Sequence, residues 1–76
     1  MDPNATWKEL CEELSHLTDS NADNAWQLAK SLYSWIEGNG FLPSAMEHVG
    51  RDAMLTILNA ITMHVETFDL EMYDDE

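Results

Sequence analysis

The sequence predicts an all-α domain, a small bundle of three main helices over about 5–18, 21–37 and 51–67 with a short helical segment at about 44–49. Three observations carry that expectation. Apolar residues recur at three- and four-residue spacing in three separate stretches. No stretch sustains the apolar–polar alternation of a half-buried strand. The periodic runs are separated by Thr18-Asp19-Ser20-Asn21 and by Gly38-Asn39-Gly40-Phe41-Leu42-Pro43, which are rich in residues that stop helices or cap them.

In the first helix Trp7, Leu10, Cys11, Leu14 and Leu17 form the apolar stripe. Thr6-Trp7-Lys8-Glu9 has the form of a capping box, and Asp2-Pro3 offers an earlier start with proline at the first helical position. The second helix is the element the others are organised around. Ala22, Ala25, Trp26, Ala29, Leu32, Tyr33 and Ile36 make one stripe, while Leu28 and Trp35 put apolar groups on another side. Such a helix is central, packed by its own chain on one side and by more chain or a second molecule on the other. Gly38 fits a left-handed position at its end, with Phe41 and Leu42 folding back as a clasp. Ser44-Ala45-Met46-Glu47 reads as another capping box, and Gly50 marks a kink or the gap before a longer helix starting near Arg51. Met46, Val49, Ala53, Met54, Ile57, Leu58, Ile61, Val65 and Phe68 continue at helical spacing.

At 76 residues the chain is one domain, and one of that size buries only about 60% of the surface its unfolded chain exposes. We divide it into a helical domain over 1–68 and an acidic tail over 69–76. Fifteen acids against three bases give a formal charge of −12, which disfavours nucleic acid and anionic lipid as ligands and favours a basic protein partner. The charge is uneven along the chain. Residues 1–23 carry six acids against Lys8, residues 66–76 carry six against no base, and the middle is nearly neutral. Six acids near the end of the last helix oppose its dipole and predict fraying there. The start of the chain lacks the pattern of a signal peptide, no run is long enough to span a membrane, and a lone Cys11 suits a reducing cytoplasm.

No residue pattern carries chemistry. Asp19-Ser20-Asn21-Ala22-Asp23 imitates half a calcium loop, but Asn24 stands where glycine is required and Lys30 where a bidentate glutamate is required, so helix capping is the expected role. His16, His48 and His64 are too dispersed for a local metal motif, and Cys11 has no second cysteine. His48, Arg51 and Asp52 have the ingredients of acid–base chemistry without an evident cleft. Cys11, Met46 and Met54 are expected in the core. No cofactor, metal or catalytic residue is expected, and the chain reads as non-enzymatic.

Two readings of function remain. In the first, Glu9, Glu12, Glu13, Glu66, Asp69, Glu71, Asp74 and Asp75 form an anionic surface that imitates a phosphate backbone and binds a basic, nucleic-acid-binding protein. Small acidic helical proteins of this kind occur among phage- and bacterium-encoded inhibitors, an analogy of size and charge. In that reading Leu28, Trp35, Leu55 and Met63, which lie off the main stripes, serve self-association as a homodimer. In the second, the protein is a homo-oligomeric assembly or adaptor subunit that binds through this apolar helix 2/helix 3 surface, and its charge serves solubility alone. The same four residues are equally compatible with one asymmetric core.

Overall fold

The computed structural model describes residues 1–73, with side chains described through Phe68. Its elements are α1 (Pro3–Ser15), α2 (Asp19–Glu37), a 3-10 helix η1 (Ser44–Val49) and α3 (Arg51–Tyr73), with no strand among the described residues. The all-α bundle expected from the periodicity is the observed fold. α2 packs on both α1 and α3 through one buried stripe, whereas α1 and α3 meet little.

The core follows the spacing of the stripes. Ala22, Ala25, Ala29, Leu32 and Ile36 of α2 are buried against Leu10 of α1 and against Met54, Leu58 and Val65 of α3. The three alanines let neighbouring helices approach α2 closely, and the larger aliphatics supply most of the apolar area removed from water. Thr62 lies on the same row of α3 and is also buried, with its hydroxyl donating to the Asn59 carbonyl at 2.8 Å. That bond to its own preceding turn removes the cost of burying an unpaired hydroxyl, so threonine occupies a core position the apolar pattern passes over.

The helix ends depart from the sequence expectation in instructive ways. α1 starts at Pro3 because Asp2 is the N-cap, its Oδ1 accepting from the backbone of Asn4 at 3.1 Å and of Ala5 at 3.4 Å. Thr6 therefore lies inside the helix. The expected Ser44–Glu47 capping box does not form either. η1 begins after Pro43, and Ser44 N–H donates to Asn4 Oδ1 of α1 at 2.6 Å. The left-handed residue after α2 is Asn39 (φ 74°), while Gly38 has φ −85°. Gly40 N–H donates to the Trp35 carbonyl at 2.8 Å and Asn39 N–H to that of Ile36 at 3.1 Å, the two bonds of a Schellman motif with asparagine at its left-handed position. Gly50 separates η1 from α3 with φ 87°, and its carbonyl accepts from Met54 N–H at 3.0 Å.

α3 runs through Tyr73, beyond the end near 67 expected from the acids. The expected fraying concerns a stretch whose side chains from 69 onward, and whose entire structure from 74 onward, lie outside the described residues.

Candidate protein-interaction surfaces

Two polar clips hold α1 against the rest of the chain. At one end is the Asn4–Ser44 bond. At the other, Asn21 Oδ1 accepts from Thr18 N–H at 2.7 Å while its Nδ2 donates to Glu13 Oε1 at 2.8 Å and, more weakly, to the Glu13 carbonyl at 3.3 Å. One carboxamide thus opens α2 and closes α1. It also answers the calcium-like pattern, because residues 19–23 are the first turns of α2 and Asn21 is occupied as a cap.

A third fastening joins α2 to α3. The Arg51 guanidinium donates through Nη1 to the carbonyl of Ile36 and, at 3.3 Å, to that of Gly40. A cation is thereby placed on the negative end of the α2 dipole. Arg51 belongs to this cap and not to an acid–base group with His48 and Asp52.

These fastenings fix the direction of the helices. The end of α1 lies beside the start of α2, the end of α2 lies beside the start of α3, and Trp26 near the start of α2 donates through Nε1 to Glu66 Oε2 at 2.9 Å. The two acid-rich stretches, far apart in sequence, therefore converge on the same end of the bundle. Glu12, Asp19, Asp23 and Glu66 are all exposed there, and neither 9–29 nor 52–68 contains a lysine or arginine.

The expected acidic site residues thus fall into three groups. Glu9 and Glu12 are exposed on the surface of α1. Glu13 is half-buried and bonded to Asn21, and Glu66 is exposed but hydrogen-bonded to Trp26. Asp69, Glu71, Asp74 and Asp75 lie outside the residues whose side chains are described.

Of the residues expected to serve self-association, Leu28, Trp35 and Leu55 are half-buried and packed against the core, and Met63 is 59% exposed. Trp35 has a task within the chain. Its Nε1 donates to the Phe41 carbonyl at 3.0 Å, its ring meets Phe41 edge-on at 5.7 Å, and Gly40 lies directly against the indole. The clasp read from Phe41 and Leu42 exists, with Trp35 as its post. Lys30 stands over Trp26 at 5.6 Å and over Tyr33 at 5.9 Å, a cation–π arrangement that the spacing of four and three residues could have indicated and that the apolar reading of α2 passed over.

A different apolar surface appears where α1 and α3 splay apart. A groove of about 340 Å³ is lined by Leu14, Ile57, Ala60, Ile61 and His64. On the α1 side a shallower recess of about 710 Å³ is lined by Trp7 and Cys11 with Asn4, Lys8, Glu12 and Ser15, and closed by Ser44 and Ala45 of η1. Cys11, expected in the core, is exposed here, because Leu10 takes the position facing α2. Partial burial still pushes its thiol pKa above the ordinary value, which disfavours the reactive thiolate. Sequence reasoning assigned Ile57 and Ile61 to the core; both are only half-buried, since the buried row of α3 is Met54, Leu58, Thr62 and Val65.

No helix among the described residues is long and apolar enough to cross a membrane. No protein-family model matches the chain, and no curated protein or solved structure resembles it significantly.

Proposed function

We propose that this protein is a non-enzymatic acidic binding module that engages a basic, nucleic-acid-binding protein through the anionic end of its bundle. The observation that carries the reading is the convergence of Glu12, Asp19, Asp23 and Glu66 on one end, in stretches without a lysine or arginine. Carboxylates on adjacent helical turns stand about 5–6 Å apart and present a phosphate-like series of charges to a cationic surface. By occupying lysines and arginines that would otherwise hold nucleic acid, such a module inhibits its partner, a role suited to a phage- or bacterium-encoded inhibitor. The lone Cys11 suits work in a reducing cytoplasm.

The test is displacement of a duplex DNA from a basic DNA-binding protein, with a lysine-rich peptide as a second, defined probe in calorimetry. Both interactions should weaken at least tenfold between about 50 and 200 mM salt. The variant Asp19→Asn/Asp23→Asn, which leaves Glu12 in place, should lose most of the displacement while keeping its helical circular dichroism. Full displacement by that variant would overturn the proposal.

A further inference from the structure

We infer that the splayed face of α1 and α3 is a homodimer interface, on which a second copy packs with α1 antiparallel to α1 and α3 antiparallel to α3. This goes beyond the basic-partner reading and uses a surface that shares only Glu12, at its edge, with the acidic end.

The face is apolar on a strongly anionic chain. On α3, Ala53, Ile57, Ala60, Ile61 and His64 recur at three- and four-residue spacing beside the buried row, without an acid among them. On α1 the matching surface is Trp7, Cys11 and Leu14. Among the residues lining the groove and the recess, the charged ones are Lys8 and Glu12, one turn apart at the α1 edge. A foreign basic partner would find its complement at the acidic end and not here. A second copy finds both signs. Two antiparallel α1 helices crossing midway between these residues set Lys8 of each copy opposite Glu12 of the other, which is the self-complementarity a two-fold axis demands.

The α3 side agrees on where that axis lies. Leu14 shares its groove with Ala60 and Ile61. α1 and α3 both run antiparallel to α2, so one turn back the midpoint of Lys8 and Glu12 is level with Ile57. Ala53 and Ala60 straddle that level, both exposed. Crossing there sets Ala53 of one copy against Ala60 of the other, small side chains that let two helices approach closely with Ile57 between them. The charged pair on one helix and the alanine pair on the other point to one axis. The acids on the outer surface, including Glu9 and Glu66, then stay away from the interface.

The oligomeric state of the full chain by sedimentation equilibrium tests this. The wild type should be a dimer, and its association should tighten with added salt, because two copies of charge −12 repel. That sign is opposite to the one expected for a basic partner, so the two proposals fail separately. Ala60→Glu should weaken the dimer at least tenfold without loss of helix, since Ala60 is exposed in the monomer. Adding Ala53→Lys to it should restore the dimer by setting opposite charges across the axis, and Asn59→Glu, exposed on the opposite flank of α3, should leave it unchanged. A wild type that stays monomeric up to about 1 mM, where only about −4 kcal/mol of association would suffice, overturns the inference. So does an Ala60→Glu variant that dimerises like wild type, or a double variant that remains monomeric.

Discussion

Gly40→Ala is the substitution whose sign tests the account of the α2 terminus. A β-carbon at residue 40 would stand 2.4 Å from Cε2 and Nε1 of Trp35 and 2.5 Å from the Trp35 carbonyl oxygen, separations that real β-carbons essentially never show. Part of that obstacle is backbone, so the indole cannot simply swing aside. Relieving it moves the Schellman turn, and with it the bond from Trp35 Nε1 to the Phe41 carbonyl and the Arg51 contact with Gly40. Overpacking of this kind costs about 1–3 kcal/mol and a lost hydrogen bond about 1 more, for a total of about 2–4 kcal/mol. In a domain of this size the whole stability is about 4–11 kcal/mol, so Tm should fall by roughly 8–30 °C. The opposite sign is the default elsewhere, because replacing glycine by alanine at an unstrained site stabilises by about 0.4–1 kcal/mol through the unfolded chain. Urea denaturation followed by far-ultraviolet circular dichroism measures the difference. Repeating it in a Trp35→Leu background should recover part of the cost, though not all, since the carbonyl of residue 35 remains. A Gly40→Ala protein as stable as wild type would refute the close approach.

Other expectations follow from the same contacts. Asn39→Gly should be neutral or stabilising by up to about 1 kcal/mol in thermal denaturation, because glycine adopts φ 74° without penalty, whereas Asn39→Val should destabilise by about 1–2 kcal/mol. Arg51→Ala should cost about 1–2 kcal/mol by uncapping α2, with Arg51→Lys intermediate in the same melts because lysine keeps the charge but not the fork. Asn21→Asp should destabilise more than Asn21→Ala at neutral pH, although aspartate usually suits a helix start, because it sets a second carboxylate beside Glu13 where Nδ2 now donates at 2.8 Å. Moderate salt should raise Tm by screening the acids gathered at one end; melting curves that coincide at low and moderate salt would contradict that gathering.

The helices were legible in the sequence because burial on α2 is periodic, and Ala22, Ala25, Ala29, Leu32 and Ile36 are the buried residues the spacing indicates. The caps were less so, because several competent groups stand near each terminus and local pattern does not say which is used. Asp2 prevailed over Thr6, Asn39 took the left-handed position beside a glycine, and Ser44 was claimed by a side chain forty residues away. The surfaces were hardest to read. A helical wheel marks Ile57 and Ile61 as core, but which of two adjacent apolar rows is sealed depends on how far α1 lies from α3, and that is set by the long-range clips. The same holds for the acids, since their meeting at one end follows from the up-and-down course of the chain and not from their order along it.

That course also bears on how the molecule comes into being. Its packing joins elements that are neighbours in sequence, α1 with α2 and α2 with α3, and leaves the first and third nearly strangers. Each closure spans only a short connecting segment, so little chain entropy is surrendered before contacts reward it, and such low-contact-order helical topologies fold in microseconds to milliseconds. A chain built this way assembles by two successive foldings about its middle helix, and only then does it possess the cleft between its outer pair.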